Sequence, residues 1–281
     1  MTHTCALAQI SPVLGHLHAN IRKHEEFIVH ARDGGADIVV FPELSLTGYT
    51  VRDMHSELAL RVDDPRLDVL RELSHDITIV AGGIEEAPSY GLYNAAFVFD
   101  RGTAQTYRKV YPPDYGIFEE RRYFLAGDRV RVFDTCIGRI GVLICEDLWH
   151  VSLPLLAALE GAQLLVVLSA SPQRLTGQGG LTSYALNHQH HAALCRLLSV
   201  NMIFVNRTGV EDGVSFWGGS EAVDAFGMPV VACDGLDEQL VFADLSTDTV
   251  RRARTESRHF LDEDPHLLLR ELRRIVRTDG V

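Results

Sequence analysis

The chain has 281 residues, of which 46% are hydrophobic and 23% charged, so it can bury a full core without disulfides or metals. Its 26 Lys and Arg against 38 Asp and Glu give a net charge of −12, which argues against nucleic-acid binding because a phosphate backbone needs a basic face. The five cysteines are widely spaced without a Cys-x-x-Cys pair, which favours a reduced, cytoplasmic protein with no structural zinc. No secretion signal or membrane span is predicted, because the N-terminus lacks the signal pattern and no eighteen apolar residues run together.

Apolar runs of strand length alternate with amphipathic helical stretches, which is typical of an α/β fold. The strands are predicted at residues 5–10, 38–41, 77–82, 92–99, 105–109, 130–134, 139–145, 164–169, 202–206, 224–227 and 240–244. The helices are predicted at residues 18–33, 53–62, 65–75, 153–161 and 182–199. Hairpins occur beside crossovers, so we expect mixed sheets. No linker divides the chain, so we predict one domain over residues 1–281, with a helical tail at about 262–278.

Three of the predicted strands end in a residue that could take part in catalysis. Pro42 stops strand pairing, so Glu43 falls on the rim of the sheet, where Phe41, Leu44 and Tyr49 can partly desolvate it for proton transfer. Lys109 ends another strand and is followed by prolines. Taken singly, these residues are better explained as a solvated loop Glu and a solubilising edge Lys.

The third strand end is the segment GVLICEDLWH, in which an apolar run stops at Cys145 and two carboxylates. A thiol at such a junction can face a cleft while the strand fixes it, and the following backbone N–H groups can stabilise an oxyanion. A small buried hydrophobe would account for a lone Cys. The combination of thiol, carboxylate and ammonium at three rims favours the catalytic interpretation.

These segments resemble the signatures of the nitrilase, or carbon-nitrogen hydrolase, superfamily, in the same order Glu, Lys, Cys. The longer strings FPELSLTGY, YRKVYPPDYGIFEERRYF and GVLICEDLWH are most similar to the glutamine-hydrolysing domains of glutamine-dependent NAD synthetases. The resemblance runs from about Thr4 to Leu245. It implies a four-layer αββα sandwich and a homodimer or higher oligomer that pairs through residues 153–161 and 182–199.

The resemblance also implies a role for each site residue. Glu43 is the general base, Lys109 stabilises the oxyanion, and Cys145 is the nucleophile. Glu120 is the second carboxylate that orients the lysine, with the adjacent Glu119 as its rival. The implied substrate-binding residues are Tyr49, Tyr115, Glu146 and Ser171.

The predicted activity is hydrolysis of a small, non-peptide amide through a cysteine thioester, with no cofactor or metal. Two alternatives stay open, a stand-alone glutaminase that supplies ammonia to a separate synthetase and a catalytically silent scaffold. Glutamine is not the expected best substrate, because no synthetase domain follows Val281 and Gly177 stands where related glutaminases tend to carry a basic residue. Arg174 could substitute for that cation. A thiol reactivity test separates the enzyme from the scaffold if Cys145 is poised and the other four cysteines are buried.

Three further motifs have competing explanations. The histidines in residues 188–191 fit a solvated helix face better than a metal site, because their spacing is not i, i+4. The glycines of residues 178–180 fit either a passive connection or a substrate lid. The apolar stripe of the tail is expected to pack on the body of its own chain, although a dimer clasp would use the same residues.

Overall fold

The strands of the first half alternate their side chains between two apolar cores. In the computed structural model, which describes residues 1–173 and 182–278, Cys5 and Leu7 of the first strand join one core while Ala6 and Ala8 join the other. Alternation with a period of two places successive side chains on opposite faces of a sheet. Because both faces are apolar, this sheet has to be covered on both sides.

The strands form two large sheets and one small ribbon. Their bounds are β1 Thr2–Gln9, β2 Ile38–Val40, β3 Thr78–Glu86, β4 Leu92–Asp100, β5 Thr103–Arg108, β6 Val132–Thr135, β7 Gly138–Ile144, β8 Leu164–Ser169, β9 Asn201–Asn206, β10 Thr208–Glu211, β11 Val214–Trp217, β12 Glu221–Val223, β13 Pro229–Ala232 and β14 Gln239–Ser246. The strand orders are β14-β1-β2-β3-β4-β5 and β13-β12-β9-β8-β7-β6, with β10-β11 as the ribbon. Strands β1-β2-β3 and β7-β8-β9 run parallel and their outer neighbours antiparallel, so the expected mixed sheets are confirmed.

The α-helices are α1 Leu17–Asp33, α2 His55–Leu58, α3 Asp68–Leu73, α4 Glu120–Tyr123, α5 Ser152–Leu159, α6 Thr182–Leu198, α7 Thr247–Glu256 and α8 Pro265–Thr278. Helices α1 and α3 share one core with the outer face of the first sheet. Helices α5 and α6 pack against the second sheet, and the inner faces of the two sheets meet in a common core. This arrangement confirms the αββα sandwich. No helix within the described ranges is both long and apolar enough to cross a membrane.

Two predicted elements are wrong in extent or type. The helix expected at residues 53–62 is a 3₁₀ turn at Arg52–Met54 followed by α2, and it stops because Leu60 pairs with Glu85 as an isolated bridge. The strand expected at residues 224–227 is a turn between β12 and β13. There the Asp224 side chain accepts from the N–H groups of Phe226 and Met228, a local bond that competes with strand pairing.

The C-terminal helix also differs from its prediction. Its apolar stripe is exposed, with Leu272 at 50% and Val276 at 54% relative exposure, so the expected packing on its own body is wrong. Helices α1, α3, α5 and α6 contribute residues to the two cores, whereas no described residue of α8 belongs to either.

A buried histidine fixes the segment that follows β2. The His24 ring lies 4.1 Å from the Phe41 ring, its Nδ1 is 2.7 Å from the carbonyl oxygen of Asn20, and its Nε2 is 2.9 Å from Ser45 Oγ. Burial lowers the pKa of His24 from 6.5 to about 4. The neutral ring therefore donates to the carbonyl and accepts from the hydroxyl.

This pKa shift predicts a pH-dependent loss of stability. The unfolded chain binds a proton at His24 below pH 6.5, whereas the folded chain binds it only near pH 4. The stabilisation from the neutral His24 is therefore complete above pH 6.5 and is lost as the pH falls from 6.5 to about 4. The full effect on the free energy of unfolding is about 3 kcal/mol. Urea unfolding at pH 7 and pH 4.5 measures it. A His24→Gln variant should lose less stability than the parent between these pH values, and equal losses would contradict the assignment.

Candidate active site

The three predicted strand ends meet at one edge of the sandwich. Strand β5 runs in the same direction as β2, because both neighbouring pairs in β3-β4-β5 are antiparallel. Glu43 and Lys109 therefore lie beyond the carboxyl ends of strands in the first sheet, and Cys145 beyond the end of β7 in the second. Ligands of open α/β sheets commonly bind at such carboxyl ends.

Lys109 is buried between two carboxylates. Its Nζ donates to Glu43 Oε1 and to Glu120 Oε1, at 2.7 Å in each case, and all three side chains are 4% exposed or less. Glu119, the rival for the second carboxylate, is exposed. Burial alone lowers the pKa of Lys109, but the charges of Glu120 and Glu43 outweigh it and hold that pKa well above its usual value. The lysine is thus a fixed cation in a site of low dielectric.

Two groups that the sequence analysis missed complete the contacts of Glu43. Asn94 of β4 donates through Nδ2 to Glu43 Oε1 at 2.7 Å and to Glu120 Oε2 at 3.1 Å. The backbone N–H of Ala170, just beyond β8, donates to Glu43 Oε2 at 2.8 Å. Glu43 therefore connects the two sheets. Hydrogen-bond donors to both of its oxygens fix the orientation of the carboxylate. Burial raises the pKa of Glu120, although Lys109 opposes the shift.

Cys145 sits in a strained junction. Its φ of 46° is in the left-handed region that a residue with a side chain rarely adopts, between β7 and a 3₁₀ helix at Cys145–Trp149. The thiol is half-buried and lies 3.5 Å from Ser169 Oγ. Burial raises the pKa of this thiol, the Glu43 charge raises it further, and Lys109 opposes. The resting side chain of Cys145 is therefore a thiol, and it would need a base to become a thiolate.

Asp147 ties the cysteine strand to the lysine strand. Its Oδ1 accepts from the N–H groups of Val110 and Tyr111, and its Oδ2 accepts from Tyr107 Oη and the N–H of Ile144, all within 3.1 Å. The side chain is fully buried. Four donors on one carboxylate hold the residues beside Lys109 and Cys145 in register. The sequence offered only an acidic residue two positions after the cysteine.

The four predicted substrate-binding residues have different positions. The Tyr49 hydroxyl donates to Glu120 Oε1 at 2.6 Å, so it is engaged within the charged cluster. Tyr115 is half exposed and donates to Glu146 Oε2 at 2.7 Å, beside the cysteine. Ser171 is held at its backbone N–H by Asn206 Oδ1 at 2.8 Å. The described contacts thus place Tyr115 against Glu146, the residue after Cys145, and Tyr49 against Glu120.

A cavity of about 230 Å³ reaches the carboxylate side of the site. Tyr49 and Glu120 line it together with Phe118, Phe124 and Phe216, whereas Cys145 is absent from its described lining. A second cleft of about 570 Å³ is adjacent, and both clefts share residues 117 and 214. Gly177, Arg174 and the glycines of residues 178–180 lie outside the described residues.

Two further sequence-based interpretations are corrected. Cys136 is exposed, so the expectation that four cysteines are buried is wrong. His191 is buried, with Nδ1 at 2.6 Å from Glu221 Oε1, and His188 Nδ1 contacts the other oxygen of the same carboxylate. The solvated-face explanation for these histidines is therefore wrong, because β12 brings a buried acid against α6.

Gly82 sets the distance between β3 and the Glu43 segment. A Cβ there would lie 2.4 Å from both the backbone nitrogen of Leu44 and the carbonyl oxygen of Pro42. We expect Gly82→Ala to lower stability by about 1–3 kcal/mol and kcat at least tenfold, because the backbone that carries Glu43 must move. Gly83→Ala is the matched control, since its Cβ would meet movable side-chain atoms of Phe97 and Leu46. Thermal unfolding and steady-state kinetics measure both, and equal effects would contradict the proposed role of the close contact.

A four-layer sandwich with Glu43, Lys109 and Cys145 at one edge is the arrangement that the resemblance to carbon-nitrogen hydrolases led us to expect. The model of the carbon-nitrogen hydrolase family matches residues 4–255, and the chain belongs to that family.

Individual proteins are similar to this chain over most of its length. The chain is 35% identical over 251 residues to the glutamine-dependent NAD(+) synthetase of Thermotoga maritima, covering 86% of this chain and 42% of that protein. It therefore spans less than half the length of this relative. The carbon-nitrogen hydrolase of Helicobacter pylori G27 has a TM-score of 0.84 at 21% identity, covering 94% of this chain and 96% of that one. The nitrilase-superfamily amidase of Nesterenkonia AN1 has a TM-score of 0.75 at 24% identity, covering 90% and 95%. These two structures share its fold.

Proposed function

We propose that this protein is an amidase that hydrolyses the carbon–nitrogen bond of a small amide through a thioester on Cys145. The observation that carries the proposal is the buried Lys109, held between Glu43 and Glu120 at the edge of the sandwich where the strained Cys145 follows β7. Burying three charges is costly and would be a poor way to stabilise a fold that has two large apolar cores. Perturbed, buried charges in a cleft are typical of active sites.

The acylation half-reaction follows from the roles of these groups. Glu43 takes the proton from Cys145 Sγ as the sulfur attacks the amide carbonyl carbon. The tetrahedral oxyanion is stabilised by Lys109 and by the backbone N–H of Glu146, which belongs to the first turn of a 3₁₀ helix and needs no partner within it. Glu43 then returns the proton to the nitrogen, the C–N bond breaks, and ammonia or an amine leaves. The acyl group remains as a thioester.

Deacylation uses the same base a second time. Glu43 removes a proton from water, the resulting hydroxide attacks the thioester carbonyl, and the second oxyanion is stabilised by the same donors. Collapse breaks the C–S bond, releases the carboxylic acid, and returns a proton to the sulfur. Asn94 and the Ala170 N–H keep the Glu43 oxygens oriented through both steps.

Glutamine is the second candidate substrate. The 35% identity to a glutamine-dependent synthetase favours it, and Glu146 with Tyr115 places an anionic, hydrogen-bonded group beside Cys145 that could bind an ammonium. We keep a small amide other than glutamine as the first candidate, because Gly177 stands where related glutaminases tend to carry a basic residue.

A substrate panel tests the proposal and separates these candidates. The kcat/KM values are measured for glutamine, other ω-amide acids, neutral aliphatic amides and N-carbamoyl amines, with ammonia and the acid product quantified. We expect a neutral or ω-amide substrate other than glutamine to give the highest value. Glutamine as the best substrate would make the chain a glutaminase, and no turnover of any compound would favour the silent scaffold.

A further inference from the structure

A buried ion pair joins Arg207, the residue before β10, to Glu211 in the β10-β11 ribbon. Glu211, the last residue of β10, is 5% exposed and accepts through Oε2 from Arg207 Nη1 at 2.6 Å. Arg207 is 1% exposed. Neither residue belongs to the Glu–Lys–Cys cluster. A buried pair of this kind is weak support for stability, because desolvation offsets most of the attraction between its charges.

The other oxygen of Glu211 holds the turn that carries Tyr49. Oε1 accepts from the backbone N–H of Tyr49 at 2.9 Å and from that of Thr50 at 2.7 Å. The preceding Gly48 has a φ of 81°, and a Cβ there would lie 3.0 Å from Glu211 Oε2. The carboxylate and this turn are therefore fitted closely to each other.

Tyr49 connects the turn to the buried lysine. Its hydroxyl donates to Glu120 Oε1, and the same oxygen accepts from Lys109 Nζ at 2.7 Å. Burial and the charges of Glu120 and Glu43 raise the pKa of Tyr49 well above its usual value, so the phenol stays a donor. The position of Glu120, and through it that of Lys109, depends on where the turn puts the Tyr49 ring.

Arg207 supports the same ring from a second side. Its guanidinium lies 4.1 Å from the centroid of Phe216, and Phe216 packs edge-on against Tyr49 with 6.2 Å between ring centroids. Phe216 and Tyr49 both line the cavity that reaches Glu120. Two separate contacts thus lead from the Arg207–Glu211 pair to one tyrosine.

We propose that Glu211 is a positioning residue for amide hydrolysis, held by Arg207 and acting through Tyr49 on the alignment of Glu120 and Lys109. The proposal rests on the proposed function for its kinetic test. Glu211 touches neither the nucleophile nor the general base in the described contacts, so its removal should alter alignment and leave the reacting groups present.

A double-mutant cycle tests this dependence. In Glu211→Gln the amide turns its N–H₂ away from Arg207, so the contacts with the Tyr49 and Thr50 N–H groups are weakened. We expect Glu211→Gln and Tyr49→Phe each to lower kcat roughly tenfold to a hundredfold with KM little changed. Glu211→Gln/Tyr49→Phe should be no slower than the slower single variant, because both act through one contact. A double variant that loses the product of the single losses would overturn the proposal.

A compensated variant separates alignment from folding. Arg207→Met/Glu211→Gln removes the unpaired buried charge, and we expect it to recover most of the melting temperature lost by Glu211→Gln but not its kcat. Recovery of both kcat and the melting temperature would show that Glu211 acts only on the stability of the fold, and it would overturn the proposal. Asp64→Asn is the matched control, since Asp64 also binds an arginine and a backbone N–H but has no described contact with the site. Its kcat should match the parent.

Failure of the proposed function would be recognised separately, as a parent enzyme that turns over no amide. The proposal is then tested by the pH dependence of Cys145 alkylation. Iodoacetamide modification of the Cys145 peptide is measured by mass spectrometry across a pH series, and the midpoint of the curve is compared between variants. Tyr49→Phe, Glu211→Gln and their double variant should shift the midpoint by the same amount. A Glu211→Gln midpoint equal to that of the parent would overturn the proposal.

Discussion

Replacing Cys145 with Ala is expected to lower kcat/KM by a factor on the order of a thousand or more, because it removes the group that forms the covalent intermediate in the proposed mechanism. The fold should survive. The side chain is half-buried, Ala removes a single sulfur atom, and the left-handed φ of 46° strains Ala and Cys similarly. Steady-state kinetics with the best amide of the panel gives the loss, and thermal unfolding monitors the fold.

Cys136→Ala is the matched control, because Cys136 is an exposed thiol away from the strand edge that carries the site. It should keep the parent kcat/KM. Residual activity of Cys145→Ala within tenfold of the parent would refute covalent catalysis by this residue. Loss of activity in Cys136→Ala would indicate that Cys136, and not Cys145, is the nucleophile.

Removing the base or the cation is the second change with a very large expected effect. Glu43→Gln and Lys109→Met should each remove most of kcat, because both groups act in the same transition state of the proposed mechanism. Glu43→Gln is the milder change for folding, since Lys109 keeps its ion pair with Glu120. Lys109→Met leaves two buried carboxylates unpaired, so we expect it also to lower stability by about 3–5 kcal/mol.

The double variant Glu43→Gln/Lys109→Met shows whether the two groups act together. Its loss of kcat should be much smaller than the product of the single losses, because the second change removes a group that has already lost its function. Losses that multiply would contradict a shared site. Circular dichroism and thermal unfolding establish, for each variant, that the kinetic sample is folded.

The reactive groups were predictable because each terminates a strand. An apolar run that stops at Pro42 and Glu43, or at Cys145, indicates a rim position from local pattern alone. The αββα arrangement came from the resemblance, and the alternation of apolar residues in β1 shows physically why both faces of that sheet are covered.

The supporting contacts could not be predicted, because they join segments far apart in the chain. Asn94 reaches Glu43 from β4, and Glu211 reaches Tyr49 from the ribbon, 162 residues away. Nothing in the local sequence of either partner marks such a pairing. The exposure of α8 was not predicted for a related reason. An apolar stripe indicates that a helix face is buried, but it does not identify the surface that would cover that face.

Trapping the thioester tests the central claim most directly. The parent enzyme is mixed with its best amide substrate, quenched in acid during turnover, and digested with a protease. The masses of the cysteine-containing peptides are then measured by mass spectrometry. We predict that the Cys145 peptide gains the mass of the acyl group, that the Cys136 peptide is unchanged, and that the adduct disappears in Cys145→Ala. Steady turnover with no acyl adduct on Cys145 at any quench time, or an adduct on another cysteine, would contradict the mechanism.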